Sequence, residues 1–472
     1  MESLRGLVFK GGIYTGLRQL AGMAISFGGL AALVRLIGPA AYGVYISAFA
    51  LAAYAQVILA LGIDVYLVRK ANTPESDDLH QGFTLALTAG TAGFLLALPG
   101  SRLAEHWIGV VGVRDAMLAL FACLPLQLVS LIPSAVLQRR MDWKGIAQAE
   151  LAGLVVFQAA ALGVAAWGGG TTAPVAGFWA QQATTFALLL RRSGYRPRLR
   201  WQPGRLKPML AYGVPFAAAT WMWHLRGLAN PLVVARLLGP EAAAAVGIGI
   251  RIAESLSFMR LVAWRVSIPA LAHVQQQPQR LTAAVAQGAL AQLAITAPVM
   301  LVFRLAAPWF IPLAFGRDWP LLVELFPFVA VAYLGNCLFG LHFAALHVAG
   351  RNVEAGSVHL LHALLLMGTA ELLAPHLGGL AYGWAEMAAL AAYGLLHLLV
   401  RRHIGAVPLA LALAWTLATA AALFAGQLGP WAWLGLPVVL LLPSTRRLLV
   451  RWRTDLVGHL MPKESARDDA KP

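Results

Sequence analysis

Seven arginines stand inside stretches of apolar sequence: Arg18, Arg35, Arg226, Arg236, Arg251, Arg260 and Arg265. A guanidinium in hydrocarbon costs from about 2.5 to more than 10 kcal/mol, so such residues face water-filled space or a partner. Arginine stays charged when buried and presents a planar fork of donors matched to phosphate oxygens. The chemistry these residues point to is anion binding. At 100° per residue, Arg251, Glu254, Ser255, Phe258, Val262 and Arg265 share one helix face, with Arg260 nearly opposite. Arg251 and Glu254 are three apart, so they can pair and lower the cost of burial. Arg226 and Asn230 are one turn apart, and Trp223 lies close to their face. Aromatic faces pack on sugar rings and arginines on phosphates. Tyr14, Thr15 and Arg18 form a further polar patch. The binding candidates are thus Arg18, Arg226, Arg251, Arg265, Asn230 and Trp223. The structural alternative is a buried Arg251–Glu254 pair, an Arg265 that snorkels to headgroups, and tryptophans that pack helices.

Two carboxylates are candidates for ion coupling. Glu386 lies several residues inside an apolar segment with no cation at helical spacing, and Glu254 shares the face of Arg251. An intramembrane carboxylate of this kind can carry a coupling proton. Asp64, one turn before Val68-Arg69, reads as one side of a helix-end ion pair. Cys123 and Cys337 have no partner at metal-ligand spacing, and His342, His347, His359, His362 and His397 show none either. No Gly-x-x-x-x-Gly-Lys-Ser/Thr loop is present, so nucleotide hydrolysis by this chain is not expected. The expectation is no metal and no cofactor.

These residues need a scaffold in lipid. Of 472 residues, 59% are hydrophobic and 12% charged. A soluble domain carries about 45–50% apolar and about 25% charged residues. The mean hydropathy of +0.70 agrees. The net charge of +16 would suggest nucleic acid in a soluble protein, but here the cations sit in short loops and at the ends. No nucleic-acid partner is expected; membrane lipids are.

A spanning helix needs about 20 mainly apolar residues. Fourteen segments qualify: 11–37, 42–67, 82–100, 113–136, 146–167, 174–192, 208–237, 242–268, 281–303, 321–346, 355–375, 378–400, 407–426 and, short and Pro-interrupted, 430–444. The first is too long for the apolar core of a cleavable signal. One set of loops, with the tail and the N-terminus, holds 25 of the 36 Lys+Arg, and the opposite loops hold only Arg102, Arg114, Arg304 and Arg317. That asymmetry puts both termini in the cytoplasm. The organisation expected is a six-helix lobe over 1–192, a basic cytoplasmic linker over 193–207, a second six-helix lobe over 208–402, two extra helices over 403–444 and a basic tail over 445–472. The fold class is all-α integral membrane, with a monomer as the default state.

The halves repeat. Val34-Arg35-Leu36-Ile37-Gly38-Pro39-Ala40 matches Ala235-Arg236-Leu237-Leu238-Gly239-Pro240-Glu241 at an offset of 236 − 35 = 201 residues. Both turns have the same orientation, which implies parallel repeats about an axis along the membrane normal, with a site between them. Arg35 and Arg236 read as headgroup anchors at these turns.

Leu33-Val34-Arg35-Leu36-Ile37-Gly38-Pro39 with Tyr42-Gly43, followed by Leu61-Gly62-Ile63-Asp64 and Leu67-Val68-Arg69, resembles the opening of the Wzx-type polysaccharide flippases. These belong to the MOP superfamily, with the MurJ lipid II flippases and the MATE exporters. The resemblance implies two pseudo-symmetric lobes around a central cavity. It further implies alternating access for an undecaprenyl pyrophosphate-linked oligosaccharide at a bacterial inner membrane, with glycan polymerase or export machinery as partners, and it places arginines of the first helix, here Arg18, in the cavity. A MurJ-like lipid II flippase and a MATE-type exporter are the alternatives within the fold. Outside it, the alternatives are an integral-membrane glycosyltransferase or polymerase and a transport-inactive scaffold.

Overall fold

In this computed structural model, which describes residues 4–70, 74–448 and 450, the repeat is visible in the backbone. Side chains of 4–21, 23, 24, 219, 259, 261, 262, 265, 266 and 269 lie outside the description. Gly38 has φ 78° and ψ 167°, and Gly239 has φ 85° and ψ 175°. Only glycine adopts this region without a steric penalty. Pro39 and Pro240 then open the next helical arm, where a missing N–H costs nothing. The same local shape recurs after 239 − 38 = 201 residues.

Every described regular element is helical. The chain opens with α1 (Leu4–Leu59), which reverses at Gly38, and α2 (Ile63–Arg69) extends its second arm. Next come α3 (Ser76–Ile108), the interrupted series α4 (Val113–Phe121), α5 (Leu124–Val129) and α6 (Leu131–Arg139), then α7 (Trp143–Ala166) and α8 (Thr172–Ser193). The second half starts with α9 (Pro203–Leu225), a 3-10 turn at Arg226–Leu228, a π-helical stretch at Asn230–Ala235 and α10 (Arg236–Leu256), which breaks at Gly239. It continues through α11 (Phe258–His273), α12 (Pro278–Phe315), α13 (Pro320–Val348), α14 (Asn352–Leu377), α15 (Ala381–Ala389) and α16 (Ala392–His403). The last elements are α17 (Ala410–Leu423), α18 (Ala425–Leu428) and α19 (Gly435–Leu441).

Among the described residues, eight stretches are long and apolar enough to cross a membrane, and Ala410–Leu423 and Pro430–Leu441 are shorter apolar helices. The chain is a multi-pass membrane protein. Each of the fourteen expected segments falls on helix, but several helices overrun them: α3 reaches Ile108 and α12 reaches Phe315. Their ends carry Trp107 and Trp309, both exposed, as expected where indole rings sit at the headgroup level.

The chain divides into two compact units. The first comprises Met1–Ser255, Ala306–Val329 and Arg351–Leu395, and the second Leu256–Leu305, Ala330–Gly350 and Leu396–Pro472. In lipid the drive between helices is close packing rather than removal of apolar surface from water. The first unit follows this rule. The buried run Ala242–Val246 of α10 lets the second arm of α1 approach closely. Ile63, Leu67, Leu85, Leu128 and Ile132 close a core under α2, α3, α5 and α6.

The linker between the halves is tied down. Tyr195 bonds His80 at 3.1 Å and the Leu79 carbonyl at 3.2 Å. The Arg200 amide donates to Thr84 Oγ1 at 2.9 Å, and Gln202 Nε2 donates to Asp77 at 3.1 Å. Arg205 saturates its fork on Asp78 at 2.7 Å, Glu75 at 2.6 Å and Gln202 at 2.7 Å. Asp78, only 1% exposed, also takes Lys70 at 2.5 Å. The carboxylates of Asp78 and Glu75 hold the Arg205 pKa above its ordinary value.

Candidate functional site

Of the anion candidates, Trp223, Arg226, Asn230 and Arg251 belong to α9, α10 and the turn between them. Pro231 has no N–H to give the carbonyl one turn back, so the helix that the sequence predicts over 208–237 is interrupted there by 3-10 and π-helical turns. As a result Arg226 and Asn230 point to different neighbours. The Arg226 guanidinium lies over the Trp223 ring, 4.9 Å from its centroid, and that ring packs edge-on against His359 at 5.0 Å. Asn230 is buried and donates to the Ala243 carbonyl of α10 at 3.0 Å, while its Oδ1 has no hydrogen-bond partner. Asn230 thus ties α10 to the π-helical stretch, and Trp223 is engaged by protein on its ring and edge.

Arg251 is placed differently. Its guanidinium is exposed, reaches Ser26 Oγ of α1 at 3.4 Å, and makes no ion pair among the described residues. It acts electrostatically on the buried phenols of Tyr42 and Tyr45. The Tyr42 hydroxyl itself makes no hydrogen bond of good geometry. The pairing of Arg251 with Glu254 that the spacing allows is therefore not made. Glu254 and Arg226 both lie within electrostatic reach of the exposed His224. The site is asymmetric between the repeats: at the 201-residue offset, Tyr42 and Tyr45 correspond to Ala243 and Val246, and Arg251 corresponds to Ala50. One repeat supplies hydroxyls and the other supplies the cation.

The helix face drawn through Arg251 and Arg265 is interrupted. Ser257, with φ −98° and ψ 27°, ends α10 and caps α11, so the two arginines stand on different helices. The side chains of Arg265 and Arg18 lie outside the described residues. Arg260 sits over the Tyr333 ring at 5.5 Å. The turn arginines are engaged with protein. Arg35 donates to the Leu313 carbonyl at the end of α12, and Arg236 pairs with Glu371 of α14 and stacks on Trp107 at 4.5 Å.

Glu386 is 1% exposed on α15. One carboxylate oxygen accepts the Tyr382 hydroxyl at 2.7 Å, and the other has no hydrogen-bond partner. His342 and His397 approach to 3.4 Å in the second unit. Among the described residues, no three His, Cys, Asp or Glu side chains gather as a metal site. Two crevices lie away from these groups: one of about 320 Å³ beside Gln275, Gln276 and His403, and an apolar one of about 260 Å³ beside Leu59, Leu96 and Phe121.

Periodicity does not single out Tyr42 and Tyr45, the two phenols near Arg251. Tyr42-Gly43 follows the Gly-Pro turn in the sequence, but spacing alone gives no reason to aim a phenol at an arginine 209 residues away (251 − 42).

The comparisons with known proteins agree with this architecture. Residues 32–324 match the family model described as polysaccharide biosynthesis protein. The match covers more than half of the chain, and the protein belongs to that family. Among solved structures it is similar to the lipid II flippase MurJ in an inward closed conformation, with a TM-score of 0.67 at 11% identity over 94% of this chain and 99% of that one. An inward-facing multidrug resistance MATE family transporter of the MOP superfamily follows at a TM-score of 0.55, 16% identity, and 82% and 94% coverage. A MOP superfamily transporter from Pyrococcus furiosus, described as having a binding pocket of reverse polarity, matches at a TM-score of 0.50, 15% identity, and 82% and 94% coverage. At these identities the likeness is one of fold. No curated protein matches the sequence.

Proposed function

We propose that the protein flips a lipid-linked oligosaccharide, carried on undecaprenyl pyrophosphate, across the bacterial inner membrane by alternating access. The lobes that rock are 1–192 and 208–402, with both termini cytoplasmic. One observation carries this reading: Arg251 is exposed, reaches the Ser26 hydroxyl, and makes no ion pair with a described carboxylate. A cation kept in that state in a low-dielectric setting favours a multiply charged anion, and guanidinium geometry favours phosphate. Arg226 offers a second cation for a headgroup that carries two phosphates, and Arg18 and Arg265 are further candidates from their place in the sequence. Membership in a polysaccharide biosynthesis family supports a glycan as the cargo attached to those phosphates.

The test is reconstitution of the purified chain in liposomes with a lipid-linked oligosaccharide and, in parallel, lipid II. Unaltered lipid appearing in the opposite leaflet is the expected result, with Arg251→Gln abolishing it and Arg251→Lys retaining part. A lengthened or transferred glycan would instead mean an enzyme. Preference for lipid II would move the substrate to the peptidoglycan precursor. Transport that survives neutralisation of Arg18, Arg226 and Arg251 together would end the reading.

A further inference from the structure

The strap Tyr195–Arg205 alternates. Tyr195, Arg200, Gln202 and Arg205 turn to α3 and its N-terminal carboxylates, where they are hydrogen-bonded. The residues between them turn out. Leu199 is 69% exposed and Trp201 55%, and Arg196 and Arg198 are exposed and unpaired with any described carboxylate. The loop before α7 continues this face. Arg192 of α8 holds Asp142 at 2.6 Å, and Arg140 donates to the Ser193 carbonyl at 2.8 Å, which brings exposed Trp143 and Lys144 beside the start of the strap. The surface therefore combines large apolar side chains with Arg196 and Arg198, which pair with no described carboxylate, and with exposed Lys144, which lies within electrostatic reach of Asp142. Its backbone is fixed by the ladder on α3 rather than left loose.

We propose that this outer face docks anionic phospholipid headgroups in the leaflet on its side of the membrane, the cytoplasmic one by the Lys/Arg asymmetry. Charge complementarity selects the occupant. Indole and leucyl groups insert at the headgroup level, and Lys144, Arg196 and Arg198 neutralise lipid phosphates beside them. A water-facing protein surface would gain nothing from Trp143, Leu199 and Trp201 at this exposure. The proposal is independent of what the protein transports.

The test uses the full chain in nanodiscs of phosphatidylcholine, with or without phosphatidylglycerol. A Leu199→Cys variant reports on the face, because Cys123 and Cys337 are both buried and give little background. A membrane-impermeant maleimide is expected to label it rapidly in detergent and at least tenfold more slowly in phosphatidylglycerol discs. Changing Lys144, Arg196 and Arg198 to Gln is expected to lower phosphatidylglycerol retention on the order of a hundredfold, about fivefold for each cation near the surface. Melting curves check that the Asp78–Arg205 clasp, which these changes do not touch, keeps the fold. Equal labelling in detergent and in phosphatidylglycerol discs, or equal lipid retention by the neutralised variant, overturns the proposal. Protection in native membranes that phosphatidylglycerol discs fail to reproduce would mean that a protein covers this face, and that also overturns it.

Discussion

Gly43 lies against the carbonyl of Pro240 so closely that a side chain added there would place its Cβ 1.8 Å from the Pro240 oxygen. The Gly-Pro turn of one repeat thus rests on the residue that follows the Gly-Pro turn of the other. A backbone carbonyl cannot swing aside as a side chain can, so Gly43→Ala must push the arms of α1 and α10 apart. Overpacking of this kind costs about 1–3 kcal/mol. Thermal melts in detergent should show that loss. Gly28→Ala is the control, because nothing lies within 4 Å of a Cβ there. That change should leave stability level or raise it by up to about 1 kcal/mol through helix propensity. Equal melting temperatures for the two variants would refute the packing argument.

Tyr42 tests the hydroxyl cradle of Arg251. Its phenol oxygen is buried with no hydrogen bond of good geometry and only the charge of Arg251 acting on it, so deleting the oxygen removes a desolvated group more than a bond. Tyr42→Phe should therefore melt no lower than the parent. If the phenol dipole helps to hold Arg251 toward an anion, translocation should fall several-fold in the same variant. Stability retained with transport unchanged would reduce Tyr42 to a packing residue.

The parts of this molecule that were legible in the sequence are those set by local chemistry. Gly38-Pro39 and Gly239-Pro240 announce two matching breaks because only glycine tolerates their φ. The apolar runs announce the helices because lipid demands them. What stayed hidden depends on distant partners or on a single missing donor. Glu371, 135 residues from Arg236 (371 − 236), leaves no trace in any periodicity, yet it pairs with that arginine. Pro231 broke the face shared by Arg226 and Asn230, and Ser257 broke the face shared by Arg251 and Arg265. A 100° wheel is valid only along unbroken helix, and both candidate faces cross an interruption.

The α6–α7 turn gives a pH test. The Arg192 guanidinium, and then the Gly145 amide, hold the Asp142 carboxyl below its usual range. A carboxylate depressed in the folded state stabilises it above the unfolded pKa, near about 4. That contribution disappears as pH falls through the folded value. Wild type should thus be more stable than Asp142→Asn at neutral pH, and the two should converge in acid. The pair is exposed, so the gap should be small and should shrink with salt. A gap unchanged between neutral and acidic pH would remove the pair as its source.

Glu386 is the sharpest test of energy coupling. The carboxyl is buried on α15, and only one of its oxygens has a donor, the Tyr382 hydroxyl one turn away. The carboxyl makes no ion pair with a described cation. A carboxyl so placed inside a membrane span is a candidate carrier for a coupling proton. Glu386→Gln keeps the shape and mimics the protonated form permanently. Its assembly and melting temperature should match wild type, while transport driven by a pH gradient should disappear and downhill exchange should persist. Tyr382→Phe should weaken the pH dependence without abolishing it, because the carboxyl can still exchange its proton. Gradient-driven transport in Glu386→Gln at the wild-type rate would show that the coupling ion binds elsewhere.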